Sequence, residues 1–182
     1  GYSLVRRIID HSGFSYHDSA PFDTTSSGRE ILRFVEQKQV TLGEVFLNPT
    51  KIYCDPVVDL IKLAQSPESN FSVNDIHGIC HVTGGGLSNL LRLHKSLGWE
   101  IDNPLPVHPE FKWLANTGGV DTWEMYRTFN MGCGMILAVD ARHAVAITEW
   151  LTEKMTGVQI IGQVTDNGHK VVHLGAEVEF SH

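Results

Sequence analysis

Hydrophobic positions along the chain switch between helical and alternating spacing, and the switches mark its elements. Leu4, Val5, Ile8 and Ile9 share one face of a helix predicted over 3–10, with Arg6 and Arg7 pointing elsewhere and Ser3 placed to cap it. Residues 12–28 are polar and turn-rich and read as a loop, after which 31–35 resume an amphipathic helix. Asp55 and Pro56 form a helix start, with Val57, Val58, Ile61 and Ala64 as its buried stripe. A polar connection over 66–74 leads into a strand over 76–82. Gly84, Gly85 and Gly86 follow at once, and Leu87, Leu90 and Leu91 open the next helix. Pro109 and Glu110 start a short helix through Leu114. The continuous apolar run 133–139 predicts a central strand covered on both faces. Asp140 is placed to cap a helix with the stripe Ala144, Ile147, Thr148 and Leu151, ended by Gly157. Segments 158–164 and 170–174 flank Asp166-Asn167-Gly168, a hairpin signal, and 176–180 alternates as a last strand. The pattern predicts an α/β fold. It shows no internal repeat and no boundary between domains, so 1–182 is expected to be one domain.

Composition narrows the function classes. The chain has 182 residues, 42% hydrophobic and 19% charged, which suits a globular domain with a substantial core. Its formal net charge of −7 argues against general nucleic-acid binding, which needs clustered Lys and Arg, but leaves room for one small phosphorylated ligand. No apolar run approaches the length of a membrane span, and no signal peptide opens the chain. Gly1 is not a start Met, so a cut or processed end is expected. Cys54, Cys80 and Cys133 match no zinc spacing and lie in apolar segments. Buried free thiols and a reducing, cytoplasmic compartment are expected.

Two segments could carry chemistry. In the first, His81-Val82-Thr83-Gly84-Gly85-Gly86, glycines at a strand-to-helix turn let backbone approach a ligand. The helix N-terminus would present N–H groups to an anion, and Thr83 would add a hydroxyl donor. The alternative is a plain tight turn. His81, beside the glycines, is a candidate for hydrogen bonding or proton transfer, whereas His77 reads as structural and no metal ligand set can be assembled around the pair. The second segment runs from Glu124 to Met135. Arg127, Thr128 and Asn130 stand just before a buried strand, where α/β folds place ligands. Arg127 could grip phosphate through two donors, and Asn130 could both donate and accept. The alternative is that Arg127 pairs with a surface carboxylate and Asn130 caps a turn.

Taken together, Gly1 to Arg6, Leu47 to Tyr53, the His81–Gly86 motif and Glu124 to Met135 resemble the aminoimidazole ribonucleotide (AIR) synthetases, the phosphoribosylformylglycinamidine cyclo-ligases. The string Met125-Tyr126-Arg127-Thr128-Phe129-Asn130-Met131-Gly132 is the most specific part, since related enzymes share similar glycine turns. The resemblance implies the family's C-terminal domain, a three-layer α/β/α arrangement with a mixed sheet and partly ferredoxin-like topology. It implies that a missing N-terminal domain supplies most contacts to ATP and Mg2+, with none expected in this chain alone, and forms a homodimer. It implies formylglycinamidine ribonucleotide and ATP as substrates. It also implies roles for residues: His81, Thr128 and Asn130 at the reacting groups, and Thr83, Gly84, Gly85, Gly86, Arg127, Ser3 and Arg6 around substrate or phosphate. The chain alone is expected to be inactive. Alternatives are a regulatory or ligand-binding module of the same superfamily and an amidotransferase-like relative. Residues 12–28 and 93–109 depart from the family's usual pattern.

Overall fold

Val5, Ile8 and Ile9 pack inward from helix α1 (Tyr2–Ser12), which is closed by Gly13 in the left-handed conformation. Gly1, not Ser3, holds the N-cap position, so the expected Ser3 cap is displaced into the first turn. This computed structural model describes residues 1–24 and 40–181. The helix predicted over 31–35 lies outside the described residues, as does the end of the 12–28 loop. As far as Thr24 that loop is turn-rich, with one isolated bridge from Ser19 to Thr41. Helix α2 (Leu42–Phe46) was not foreseen, although its Thr41/Glu44 capping box is a standard sequence signal.

Helix α3 (Cys54–Gln65) starts one residue before Asp55, with Tyr53 rather than Asp55 at the N-cap. Pro56, Leu60 and Ala64 are buried, Leu60 completely, while Val58 is exposed rather than part of the stripe. Strand β1 (Ile76–His81) leads through the glycines into a 3-10 helix, Gly86–Arg92. Strand β2 (Gly98–Ile101), helix α4 (Pro109–Gly118), helix α5 (Thr122–Thr128) and strand β3 (Met135–Val139) follow. Pro109 sits in the first turn of α4 as predicted, and Asp121 caps α5 by accepting the Glu124 N–H at 2.8 Å. Helix α6 (Ala144–Lys154) is capped at His143. Asp140 instead closes the preceding turn, accepting Arg142 N–H and its guanidinium at 2.9 Å. Helix α6 ends at Met155, before Gly157. Strands β4 (Gly162–Thr165), β5 (Lys170–His173) and β6 (Val178–Ser181) complete the chain.

The strands form two sheets. The mixed one has the order β4-β2-β5-β6, with β2 and β5 parallel and the other neighbours antiparallel. The predicted β4–β5 hairpin is therefore split by β2. Gly98 makes the insertion fit: a side chain there would strike the Gly168 carbonyl, Thr165 Oγ1 and the Lys170 carbonyl. At the other end of the pairing, Gly162 lies too close to the Glu100 carbonyl to carry a Cβ. The other sheet is a two-stranded antiparallel ladder, β1–β3.

Strand β3 is thus not a central strand, since β1 is its one partner among the described residues. Its unbroken apolar run still has a use. Ile136, with Cys80 across the ladder, joins the main core, which includes α1, the 3-10 helix, α5 and the mixed sheet. Leu137 and Val139, with Ile76, pack against a second core built by α3 and α6 around Leu60, Ala64, Ile147 and Leu151. Both faces of the ladder thus meet apolar side chains. Cys80 is buried and Cys133 half-buried, as predicted, but Cys54 is exposed in the first turn of α3. No helix among the described residues is long and apolar enough to cross a membrane.

His173, at the end of β5, is 3% exposed, and burial pushes its pKa below the ordinary imidazole value. The unfolded chain then binds this proton first. His173 therefore adds stability above the unfolded pKa of about 6.5, and the contribution is lost as pH falls below it. Asp75 and Asp140 are held below the carboxylate range by hydrogen bonds to Ser72 and Arg142, so their contribution fades only at lower pH, from about 4 downward. Thermal unfolding followed between neutral pH and pH 5 is expected to show a falling midpoint that flattens in His173→Asn. Equal slopes in both proteins would show that His173 does not titrate on unfolding.

Candidate functional site

The glycine turn is held by a buried asparagine. Asn89 is 2% exposed in the apolar run of the 3-10 helix. Its Oδ1 accepts the Thr83 N–H at 3.2 Å and the Thr83 hydroxyl at 3.3 Å, and its Nδ2 donates to the Gly84 carbonyl at 3.3 Å. The Gly86 N–H donates to the Thr83 carbonyl at 2.9 Å, and the Ser88 hydroxyl to the Gly85 carbonyl at 2.7 Å. The helix that follows is 3-10 and seven residues long, not the α-helix the pattern predicted. Several of the donors foreseen for an anion are thus engaged inside the turn.

The three glycines answer different demands. Gly85 and Gly86 have φ of 109° and 53°, a region that favours glycine. A Cβ on Gly86 would collide with the Tyr126 carbonyl, and it would lie 2.8 Å from the Phe129 carbonyl. This contact presses the turn onto the second predicted segment. Gly84 has neither demand: it is exposed, and a Cβ there would meet nothing within 4 Å. It presents its open side outward.

The two predicted segments therefore meet. The Val82 N–H donates to the Gly134 carbonyl at 2.9 Å, extending the ladder in which His81 pairs with Met135. Gly1, at the head of α1, lies against the Phe129 ring, within reach of the Thr128 carbonyl. Ser3 and Arg6 are exposed on the first turns of that helix, and no hydrogen bond or ion pair among the described residues ties them to the glycine turn. The Thr128 hydroxyl donates to Glu124 Oε1 at 2.8 Å. Arg127 points along α5, 3.6 Å from Glu124 and 5.1 Å from the centre of the Trp123 ring. Asn130 Oδ1 accepts the Gly132 N–H at 3.0 Å, and its Nδ2 has no hydrogen-bond partner among the described residues. The two alternatives weighed for Arg127 and Asn130, a carboxylate partner and a turn, both appear as contacts.

His81 is exposed at the end of β1, on the same face as His77 and Ile79. Its ring meets Tyr53 edge-on, with centroids 6.0 Å apart. Tyr53 in turn packs on Gly134, where a Cβ would overlap its hydroxyl. Burial, with a smaller push from Cys133, raises the Tyr53 pKa, so the phenol stays protonated. Burial lifts Cys133 to about 11 and raises Cys80, which leaves both as thiols rather than nucleophiles at neutral pH. Sequence reasoning missed Asn89 and assigned no role to Tyr53. A lone asparagine inside Leu87–Leu91 was the available signal for the first, since a buried amide needs partners. What the locus offers is neutral donors, an exposed imidazole and glycine backbone, arranged to position rather than to attack.

Comparison with known proteins places the sequence. Residues 1–175 match the family described as AIR synthase related protein, C-terminal domain. The phosphoribosylformylglycinamidine cyclo-ligase of Methanosarcina mazei is 37% identical over 177 residues, covering 97% of this chain and 44% of that protein. The enzyme of the same name from Methanobrevibacter smithii is 37% identical over 183 residues, covering 99% of this chain and 46% of that protein. This chain therefore spans less than half the length of these relatives. A solved HypE–HypF complex is similar over 68% of this chain and 40% of that one, with a TM-score of 0.45 and 17% identity. The sequence match over nearly the whole length places the chain in the family of AIR synthase related proteins, as their C-terminal domain.

Proposed function

We propose that this chain is the substrate-closing half of an ATP-dependent cyclo-ligase that converts formylglycinamidine ribonucleotide to aminoimidazole ribonucleotide. The identity of 37% across 97% of the chain with a protein named for that activity carries the reading. In the proposed reaction ATP transfers its γ-phosphoryl group to the formamide oxygen. An amidine nitrogen attacks the formyl carbon, phosphate leaves with that oxygen, and loss of a proton gives the imidazole. This chemistry asks for positioning and charge neutralisation more than for a protein nucleophile, which suits the amide donor of Asn130 together with the cations Arg127 and Arg6. His81, Asn130 and Thr128 are assigned to the reacting groups. Gly84, the outward edge of the turn, is assigned to close approach of substrate, and Thr83, Gly85 and Gly86 shape that turn. Arg127, Ser3 and Arg6 are assigned to the rim.

Among the described residues no three carboxylate, imidazole or thiol groups converge on a metal site. By its resemblance to the cyclo-ligases, the chain is assigned a cytoplasmic homodimer in which ATP and Mg2+ are bound mainly by polypeptide outside it. Leu47 and Ile52 support a covering domain, because they stand 77% and 76% exposed on the segment leading to Tyr53. The test is an assay of the full-length protein with ATP and formylglycinamidine ribonucleotide. ADP, phosphate and aminoimidazole ribonucleotide are expected together, with no turnover from residues 1–182 alone. A folded, ATP-binding full-length protein without turnover would overturn the cyclo-ligase reading, and turnover by 1–182 alone would overturn the half-site reading.

A further inference from the structure

The 3-10 helix Gly86–Arg92 runs from the glycine turn at one end to a group of basic side chains at the other. Leu91 is buried and Leu93 half-buried, while Arg92, His94 and Lys95 are exposed. With His169, from the connection between β4 and β5, these residues line an open groove of about 780 Å³. The whole chain carries 21 acidic against 14 basic residues, yet no Asp or Glu lines this groove.

Hydrogen bonds hold its walls. His169 Nε2 donates to the Leu91 carbonyl at 3.0 Å, and the ring meets Trp99 edge-on with centroids 6.3 Å apart. These contacts fix the β4–β5 connection against the helix end. His94 Nδ1 accepts the N–H groups of Ser96 and Leu97 at 3.2 and 3.1 Å. A nitrogen that accepts carries no proton, so the neutral ring has its hydrogen on Nε2, at its far side, as a donor. Arg92 and Lys95 have neither a hydrogen bond nor an ion pair among the described residues. Arg127, Arg142 and Lys170, by contrast, each stand beside a carboxylate. Two cations without a counter-charge on one groove favour an anion there.

We infer that this groove is a binding site for a phosphate-bearing small molecule, up to a nucleotide in bulk. Arg92 offers the paired donors that fit phosphate oxygens, Lys95 a compact charge, and His94 Nε2 a neutral donor. Ligand clefts run from about 300 to 1,000 Å³, so there is room for an organic body beside the phosphate. A monocarboxylate uses less of this donor set, and a nucleic acid meets the net charge of −7 beyond the groove. At a 3-10 rise of about 2.0 Å per residue, the helix sets the groove about 12 Å from the glycine turn, which makes it a separate site. The inference stands on the groove and does not depend on the cyclo-ligase reading.

The test uses full-length protein labelled with 15N-histidine, with the His94 signal assigned by its loss in His94→Gln. Ribose 5-phosphate is the probe, and ribose and acetate are the controls. Ribose 5-phosphate is expected to shift the His94 signal saturably, more weakly as salt is added, with both controls about tenfold weaker or worse. Arg92→Gln and Lys95→Gln, changes on exposed side chains, are each expected to lose about tenfold in affinity. No saturable shift, an equal response to acetate, or undiminished affinity in both variants would overturn the proposal. A His94 signal shielded from solvent and unmoved by the probe would show that the rest of the polypeptide covers the groove. An oligonucleotide saturating the shift at lower concentration would make the ligand a nucleic acid. Either result would overturn the proposal too. The wild-type titration decides the matter even if a variant does not fold.

Discussion

Replacing Gly86 by alanine is expected to destabilise the full-length protein by about 3 kcal/mol or more and to abolish turnover. Two causes act on one atom. The backbone at Gly86 has φ of 53°, which a side chain makes costly, and the added Cβ would drive into the Tyr126 carbonyl. Relief requires the glycine turn to move off the 126–129 segment, breaking apart the locus where the two motifs meet. Gly84→Ala is the internal control. With nothing within 4 Å of its Cβ and no left-handed φ, it is expected to shift stability by less than about 0.5 kcal/mol. Urea unfolding of both variants measures the contrast. A Gly86→Ala protein as stable as the parent would show that the turn and α5 are not locked together, and an equal loss in Gly84→Ala would show that its surroundings are not open.

Asn130→Asp is expected to leave the thermal midpoint nearly unchanged while lowering kcat of the full-length enzyme by about 100-fold. The side-chain oxygen that accepts the Gly132 N–H survives the change, so the turn keeps its tie. What disappears is the amide donor, which has no protein partner among the described residues and is therefore available to a ligand. Steady-state kinetics beside a melting curve separates the two effects. Undiminished kcat would remove Asn130 from the reacting groups. A parallel collapse of stability would mean that Asn130 acts through the fold.

Elements announced by local chemistry were legible in the sequence. Pro109 at the start of α4, the apolar face Val5, Ile8 and Ile9 of α1, and the run into the Gly84–Gly86 turn all follow from caps, period and glycine conformation. Partnerships set by distant residues were not. Asp166-Asn167-Gly168 reads as a hairpin because turn chemistry is local, whereas the strand that separates its arms lies about 65 residues away in the chain. The run 133–139 reads as a central strand because apolarity reports burial, not the number of neighbouring strands. At the site, the motifs carried both the locus and its glycines. Asn89 stayed hidden because a single polar residue in an apolar stretch has no period, and its role appears only once its partners can be seen.

The strand order β4-β2-β5-β6 also dictates how the molecule can be made. A two-strand ribbon closes its own turn first and zips outward within microseconds. Here the arms on either side of Gly168 must stand open until Gly98–Ile101 arrives from far upstream, so the sheet cannot grow from its tightest turn. Closing that long loop is paid in chain entropy before any strand pairing repays it, which makes the insertion of β2 the slow, high-contact-order step of folding. Gly98, the residue small enough to slide into the crook, thereby acts on the folding barrier as well as on the finished sheet.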